Sequence, residues 1–124
     1  MTEPTTRELL EGAARAAGIE VSYHHGCGDA LELVKPRGFQ VYWNPLTDDG
    51  DALRLAVKLG ISITPYPIYA EDGRHSVHTK QRRHTDTLRQ ANPTECIELY
   101  GDDAMAATRL AITRAAYEIG KGMR

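Results

Sequence analysis

The fold is decided by residues 43–63, which read WNPLTDDGDALRLAVKLGISI. Asn44-Pro45 predicts a turn, because proline fixes its own φ and keeps the residue before it out of the helical region. Thr47 or Asp48 then caps a helix by accepting hydrogen bonds from the free amides of the first turn. Gly60 is suited to end that helix in a left-handed conformation, and the alternating residues that follow predict a strand.

The predicted helix carries an apolar stripe at the helical period. The members of this stripe are Ala52, Leu55, Ala56 and Leu59, with Leu53 and Val57 expected to widen it. Arg54 and Lys58 mark the side that faces water. This pattern predicts a rigid helix that covers one face of a sheet.

The acidic residues Asp48, Asp49 and Asp51 at the start of this helix have two interpretations. They could form a metal-binding loop, but an EF-hand loop needs a distal glutamate, and none follows here. They also suit the positive end of the helix dipole and the cap position. We therefore favour capping.

The stretch 43–56 resembles the hallmark of a family of small phage and prophage proteins, the phage ABA sandwich domain. Arg7-Glu8-Leu9-Leu10 is similar to the N-terminal helix of that family, and residues 107–116 are similar to its closing alanine-rich helix. The resemblance covers most of the chain, and residues 64–95 match least. It implies a three-layer sandwich and a phage accessory protein. The family has no established activity or catalytic residues, so the resemblance supplies no site.

Length and composition predict one ordinary globular domain over residues 1–124. Hydrophobic residues make up 41% and charged residues 26%, and the net charge of −2 gives no overall preference for nucleic acid or an anionic membrane. Cys27 and Cys96 are too few for a disulfide framework and are expected to be reduced. No apolar segment reaches membrane-spanning length, so we expect an intracellular protein. The resemblance to phage proteins implies the host bacterial cytoplasm.

Helical and strand patterns alternate along the chain. Further helices are predicted over about 5–17 and 103–120, and strands over 19–23, 30–34, 39–43, 61–64 and 76–79, with 95–100 a weaker candidate. This order predicts an α+β protein, a three-layer α-β-α sandwich on a mostly antiparallel or mixed sheet of four to five strands with three helices. The pattern alone equally allows all helices on one face. Pro65 and Pro67 restrict their strand to an edge or interrupt it.

Residues 74–89 form a local positive patch on a net-acidic protein, with five Lys/Arg and three histidines against one acid. One interpretation is a contact for phosphates or an acidic protein surface. The other is a solvated hairpin and loop, and it is favoured because charge runs on exposed loops are common. The candidate binding residues are Arg74, Lys80, Arg82 and Arg83, with Tyr66 and Tyr69 for stacking.

Three classes of function remain. We favour a non-catalytic phage or prophage accessory protein that binds an unidentified host protein, as an inhibitor of bacterial anti-phage defence. The alternative is a small-nucleotide-binding protein that sequesters a signal through the basic segment. An enzyme or metal protein would need distant residues to converge; these are His24, His25, Cys27, His75, His78 and His84. We expect no catalytic residue, metal or cofactor, and leave a homodimer open.

Overall fold

The computed structural model describes residues 3–23, 31–37, 40–66, 75–81, 96–100 and 103–122. The helices in these ranges are α1 (Thr6–Ala17), α2 (Asp49–Leu59) and α3 (Ala104–Lys121). The strands are β1 (Val21–Tyr23), β2 (Leu31–Arg37), β3 (Gln40–Trp43), β4 (Ile61–Tyr66), β5 (His75–Gln81) and β6 (Cys96–Tyr100). The predicted α+β class is confirmed.

The ends of the helices follow from local chemistry. Thr5, Asp48 and Asp103 are the N-caps of α1, α2 and α3, and each side chain accepts from an amide three residues later. Gly18 and Gly60 end α1 and α2 with φ of 70° and 67°, a conformation that costs glycine little. The predicted central helix is confirmed at both ends.

The strands of the described residues form two antiparallel sheets of three strands each. Sheet A has the order β1-β2-β3 and sheet B the order β4-β5-β6. The single sheet of four to five strands predicted from the sequence is therefore not found among these residues. Each sheet pairs strands that are consecutive in the chain, and α2 separates the two sets of strands.

Two segments that contain proline form strands in the structure. The strand predicted over 30–34 is longer than expected, because β2 continues to Arg37, which pairs with Gln40 across a register shift. β4 runs through Pro65 and, within the described residues, pairs only with β5. β4 is thus an edge strand, as proline requires, whereas Pro67 lies outside the described residues.

The three helices contact one another directly. In a three-layer sandwich the sheet would separate at least one helix from the others, so the predicted layering is not confirmed. The main core joins side chains of all three helices to the inner face of sheet A and to the start of β4. Its largest members include Leu10, Leu31, Leu33, Trp43, Leu55, Ile61 and Ile112.

Sheet B packs against α3 through a second, smaller core. Val77 of β5 lies there with Ala107 and Ala111 of α3. Thr79 is fully buried on the same side, and its hydroxyl donates to the carbonyl oxygen of Ala111 at 3.0 Å. The small side chains of Ala107 and Ala111 allow this close approach of helix to sheet.

Candidate functional site

The turn between β3 and α2 is held by two side chains. The Oδ1 of Asn44 accepts from the Leu46 amide at 3.0 Å, which closes the turn locally. The Oδ2 of Asp51 accepts from the Asn44 amide at 3.0 Å, so the first turn of α2 is bonded back to the end of β3. This second bond satisfies a backbone donor that the turn removes from the sheet.

Asp51 is a buried carboxylate, only 4% exposed. Its Oδ1 accepts from Arg54 Nη2 at 2.8 Å, while its own amide donates to the Oδ2 of Asp48 at 2.8 Å. A buried charge needs such a partner, because its desolvation is otherwise uncompensated. Asp51 therefore anchors the turn between β3 and α2, a role that the sequence did not reveal.

Arg109 joins this turn to α3, which lies about 60 residues later in the chain. Its Nε donates to the Leu46 carbonyl oxygen at 2.9 Å, and its Nη1 pairs with Asp49. Each of the three acids at the start of α2 thus has a protein partner, which supports capping over a metal loop. Among the described residues, no group of three or more His, Cys, Asp or Glu side chains could hold a metal ion.

Two clefts open on the described surface. One, beside Trp43 and Arg54, has a volume of about 20 Å³, room for about one water molecule. The other, between α1 and α3, has about 220 Å³, which is less than most ligand pockets. Its walls carry both signs of charge in equal number, on Glu8, Glu11, Arg15 and Lys121. This balance of charge selects no ligand class.

The predicted binding residues fall mostly outside the described residues, namely Arg74, Arg82, Arg83 and Tyr69. Tyr66 and Lys80 lie in β4 and β5. The backbone of Tyr66 pairs with that of Ser76, and the backbone of Lys80 pairs with that of Ser62. The two pairs stand four residues apart along the strands, or about 13 Å.

The histidines give a similar partial outcome. His75 and His78 both belong to β5, so the strand predicted over 76–79 is confirmed. His24, His25, Cys27 and His84 lie outside the described residues.

The outer side of α2 differs most from the sequence prediction. Leu53 is 59% exposed and Val57 is 74% exposed, so the expectation that they widen the buried stripe is wrong. The helix turns about 100° per residue, and the buried positions 51, 52, 55 and 56 occupy the opposite side. Leu53 and Val57 lie one turn apart, next to the exposed Arg54 and Lys58. We call these four residues the α2 patch.

The fold and these surfaces define a class: a small α+β protein whose acidic turn is structural and whose central helix presents apolar side chains to solvent. Comparison of the chain with known protein families, with characterised proteins and with solved structures finds no match. None of the described helices has the length and apolar character needed to cross a membrane.

Proposed function

We propose that this chain is a non-catalytic phage or prophage accessory protein that binds a host protein through the α2 patch. The observation that carries the proposal is the exposure of Leu53 and Val57 on a well-packed helix. Exposed apolar side chains that adjoin one another mark protein interaction surfaces more often than isolated ones do. The resemblance of the 43–56 stretch to phage proteins supplies the host context.

The architecture of α2 suits recognition by a partner. Its opposite side is buried, and both of its ends are fixed by Asp48 and Gly60. A rigid helix presents its side chains with little loss of conformational entropy on binding. Apolar contacts at positions i and i+4 of one helix are a recurrent mode of protein recognition.

The test compares the wild-type chain with a Leu53→Glu/Val57→Glu variant as bait in lysates from several bacterial hosts. Both positions are exposed, so the free energy of unfolding should change by no more than about 0.5 kcal/mol per site. Met105→Glu is the matched control, because Met105 is an exposed apolar residue on α3. We expect one host protein to be retained by the wild type and the control and lost with the double variant.

Two results would contradict this proposal. One is retention of the same protein by the double variant, which would place the contact elsewhere. The other is retention of no protein in any host background, which would remove the binding function itself.

The proposed role in counter-defence is tested separately. Bacteria that carry an anti-phage defence system should yield more plaques when they express the wild-type chain than when they express the double variant. The Met105→Glu chain should behave as the wild type. Equal plaque counts across a panel of defence systems would remove counter-defence and leave binding to be explained otherwise.

A second candidate function is the binding and sequestration of a small nucleotide. One observation favours it: β4 and β5 pair directly, so the two strands that carry Tyr66 and Lys80 are neighbours in sheet B. A tyrosine and a lysine on neighbouring strands suit a base and a phosphate. Cyclic and linear nucleotides at 100 times Kd should raise the free energy of unfolding by about 2.7 kcal/mol.

Tyr66→Ala and Lys80→Ala variants make this test specific to β4 and β5. Each should lose the nucleotide-dependent shift of the melting temperature, whereas Met105→Glu should keep it. A melting temperature unchanged across the nucleotide panel rejects this candidate.

A further inference from the structure

Sheet A carries a second exposed apolar surface on its outer face. Val34 is 53% exposed and Tyr42 is 52% exposed, whereas Leu33 and Trp43, next to them in the strands, face the core. Glu32 pairs directly with Tyr42, and the Val34 amide donates to the Glu20 carbonyl oxygen at 3.0 Å. Glu20 thus lies beside Val34, and Tyr42 lies beside Glu32, which is two residues from Val34 on the same face of β2. We call these four residues the sheet A patch.

The two patches carry opposite charge. The sheet A patch adds two carboxylates to its apolar pair, whereas the α2 patch adds Arg54 and Lys58 to Leu53 and Val57. Arg54 also forms ion pairs with Asp51 and Asp48 within its own chain. For Lys58, the described residues include no ion-pair partner. The patches therefore match in apolar character and complement each other in charge, which steers association and disfavours each patch binding itself.

One chain cannot bring its own two patches together. Leu33 and Trp43, on the inner face of sheet A, share a core with Leu55 on the buried side of α2. The outer face of sheet A points away from that core, as does the exposed side of α2.

We propose that a second copy of this chain docks its sheet A patch onto the α2 patch. The two surfaces differ, so the contact is heterologous and repeats from copy to copy. Each patch has two apolar residues, so the interface is small and the assembly weak and dependent on concentration. The two free ends of every assembly remain competent to bind.

This inference shares the α2 patch with the proposed function but needs no host protein. A host protein that binds the α2 patch would displace the second copy. Self-association then keeps Leu53 and Val57 covered until the host partner is present.

The test measures the mass of the whole chain by sedimentation and light scattering over a range of concentrations. Leu53→Glu disables the α2 patch alone, and Val34→Glu disables the sheet A patch alone. We expect the wild type and Met105→Glu to form a growing series of oligomers. Each disabled variant should be a monomer, and their equimolar mixture should form dimers and nothing larger, because only one intact contact remains.

Charge reversal provides an independent measurement. Lys58→Glu and Glu32→Lys should each shift the assembly toward monomer by about tenfold in Kd, the equivalent of about 1.4 kcal/mol. The chain with both changes should recover assembly, because the opposite charges are restored in reversed order. High salt should weaken the wild-type assembly.

Three outcomes would overturn the inference. They are a wild type that stays monomeric up to millimolar concentration, a Val34→Glu chain that still assembles, and a mixture of the disabled variants that stays monomeric. A monomeric wild type that retains a host protein through Leu53 and Val57 rejects self-association and leaves the proposed function intact. A wild type that assembles but retains no host protein rejects the proposed function and leaves self-association intact.

Discussion

Gly120 of α3 lies directly against the carbonyl oxygen of Gly12 in α1, so that a β-carbon at position 120 would overlap this oxygen. The reverse is not true, because a β-carbon at Gly12 would sit 3.5 Å from Tyr117, an ordinary contact distance. The backbone of α3 at Gly120 therefore contacts the backbone of α1 with no space for a side chain, whereas the backbone of α1 at Gly12 has space for one. This contact sets how closely α1 and α3 approach over the core that they share.

We predict that Gly120→Ala destabilises the protein and that Gly12→Ala does not. The overlap with a backbone oxygen must be relieved by separating the helices, at a cost of about 1–3 kcal/mol or more. Gly12→Ala should raise the free energy of unfolding by up to about 1 kcal/mol, since alanine favours the helix. Urea denaturation measures both.

Gly122→Ala is the control for this pair. A β-carbon there would lie 3.6 Å from its nearest neighbour, so the change should stay within about 0.5 kcal/mol. Equal stability of the Gly120→Ala and Gly122→Ala chains would show that the helices do not meet as described.

Asp51→Ala should lower the free energy of unfolding by about 1–3 kcal/mol, because the Asn44 amide loses its acceptor in a partly buried place. Asp51→Asn keeps a side-chain oxygen that can accept from the Asn44 amide, so its loss of unfolding free energy should be smaller. Asp49→Ala is the control, because Asp49 is an exposed acid in the same turn and surface ion pairs contribute about 1 kcal/mol at most. If Asp51→Ala costs no more than Asp49→Ala, the anchoring role of Asp51 is wrong.

Thr79→Val should lower the free energy of unfolding by about 1 kcal/mol. The substitution keeps the shape of the side chain and removes the hydroxyl that bonds β5 to Ala111 of α3. Thr108→Val is matched to it, because the Thr108 hydroxyl also donates to a carbonyl, but within α3 itself and near solvent. We expect a change within about 0.5 kcal/mol there. Equal losses at the two sites would argue against a link between sheet and helix.

Arg109→Lys should cost about 1–3 kcal/mol, although it keeps the charge. The guanidinium reaches the Leu46 carbonyl and Asp49 with two different nitrogens, whereas a lysine ammonium is a single point. Arg7→Lys serves as the control, since Arg7 makes an exposed pair with Glu11 within α1 that is worth about 0.3–0.5 kcal/mol. Indistinguishable urea midpoints for the two variants would mean that Arg109 does not clamp the turn.

Much of the local structure could be predicted because its causes are close in sequence. A cap residue bonds an amide three positions on, and a glycine adopts positive φ without help from elsewhere, so α2 begins and ends where expected. Alternation also predicted the strand over 76–79, which lies within β5. The bond of Arg109 could not be predicted, because Arg109 meets the turn from 63 residues away. The bond from the Asn44 amide to Asp51 spans only seven residues, but it depends on the angle at which β3 enters α2, which the sequence does not give.

The sequence by itself determined the elements, the α+β class and the acidic cap of α2, because hydrogen bonds within a turn or helix depend only on neighbouring residues. Only the tertiary structure decided that the strands of the described residues form two sheets and that the described helices contact one another. It also decided that Leu53 and Val57 stay in solvent. A helix has more apolar positions than one contact can cover, so the distant segments that pack against it choose which of them are buried.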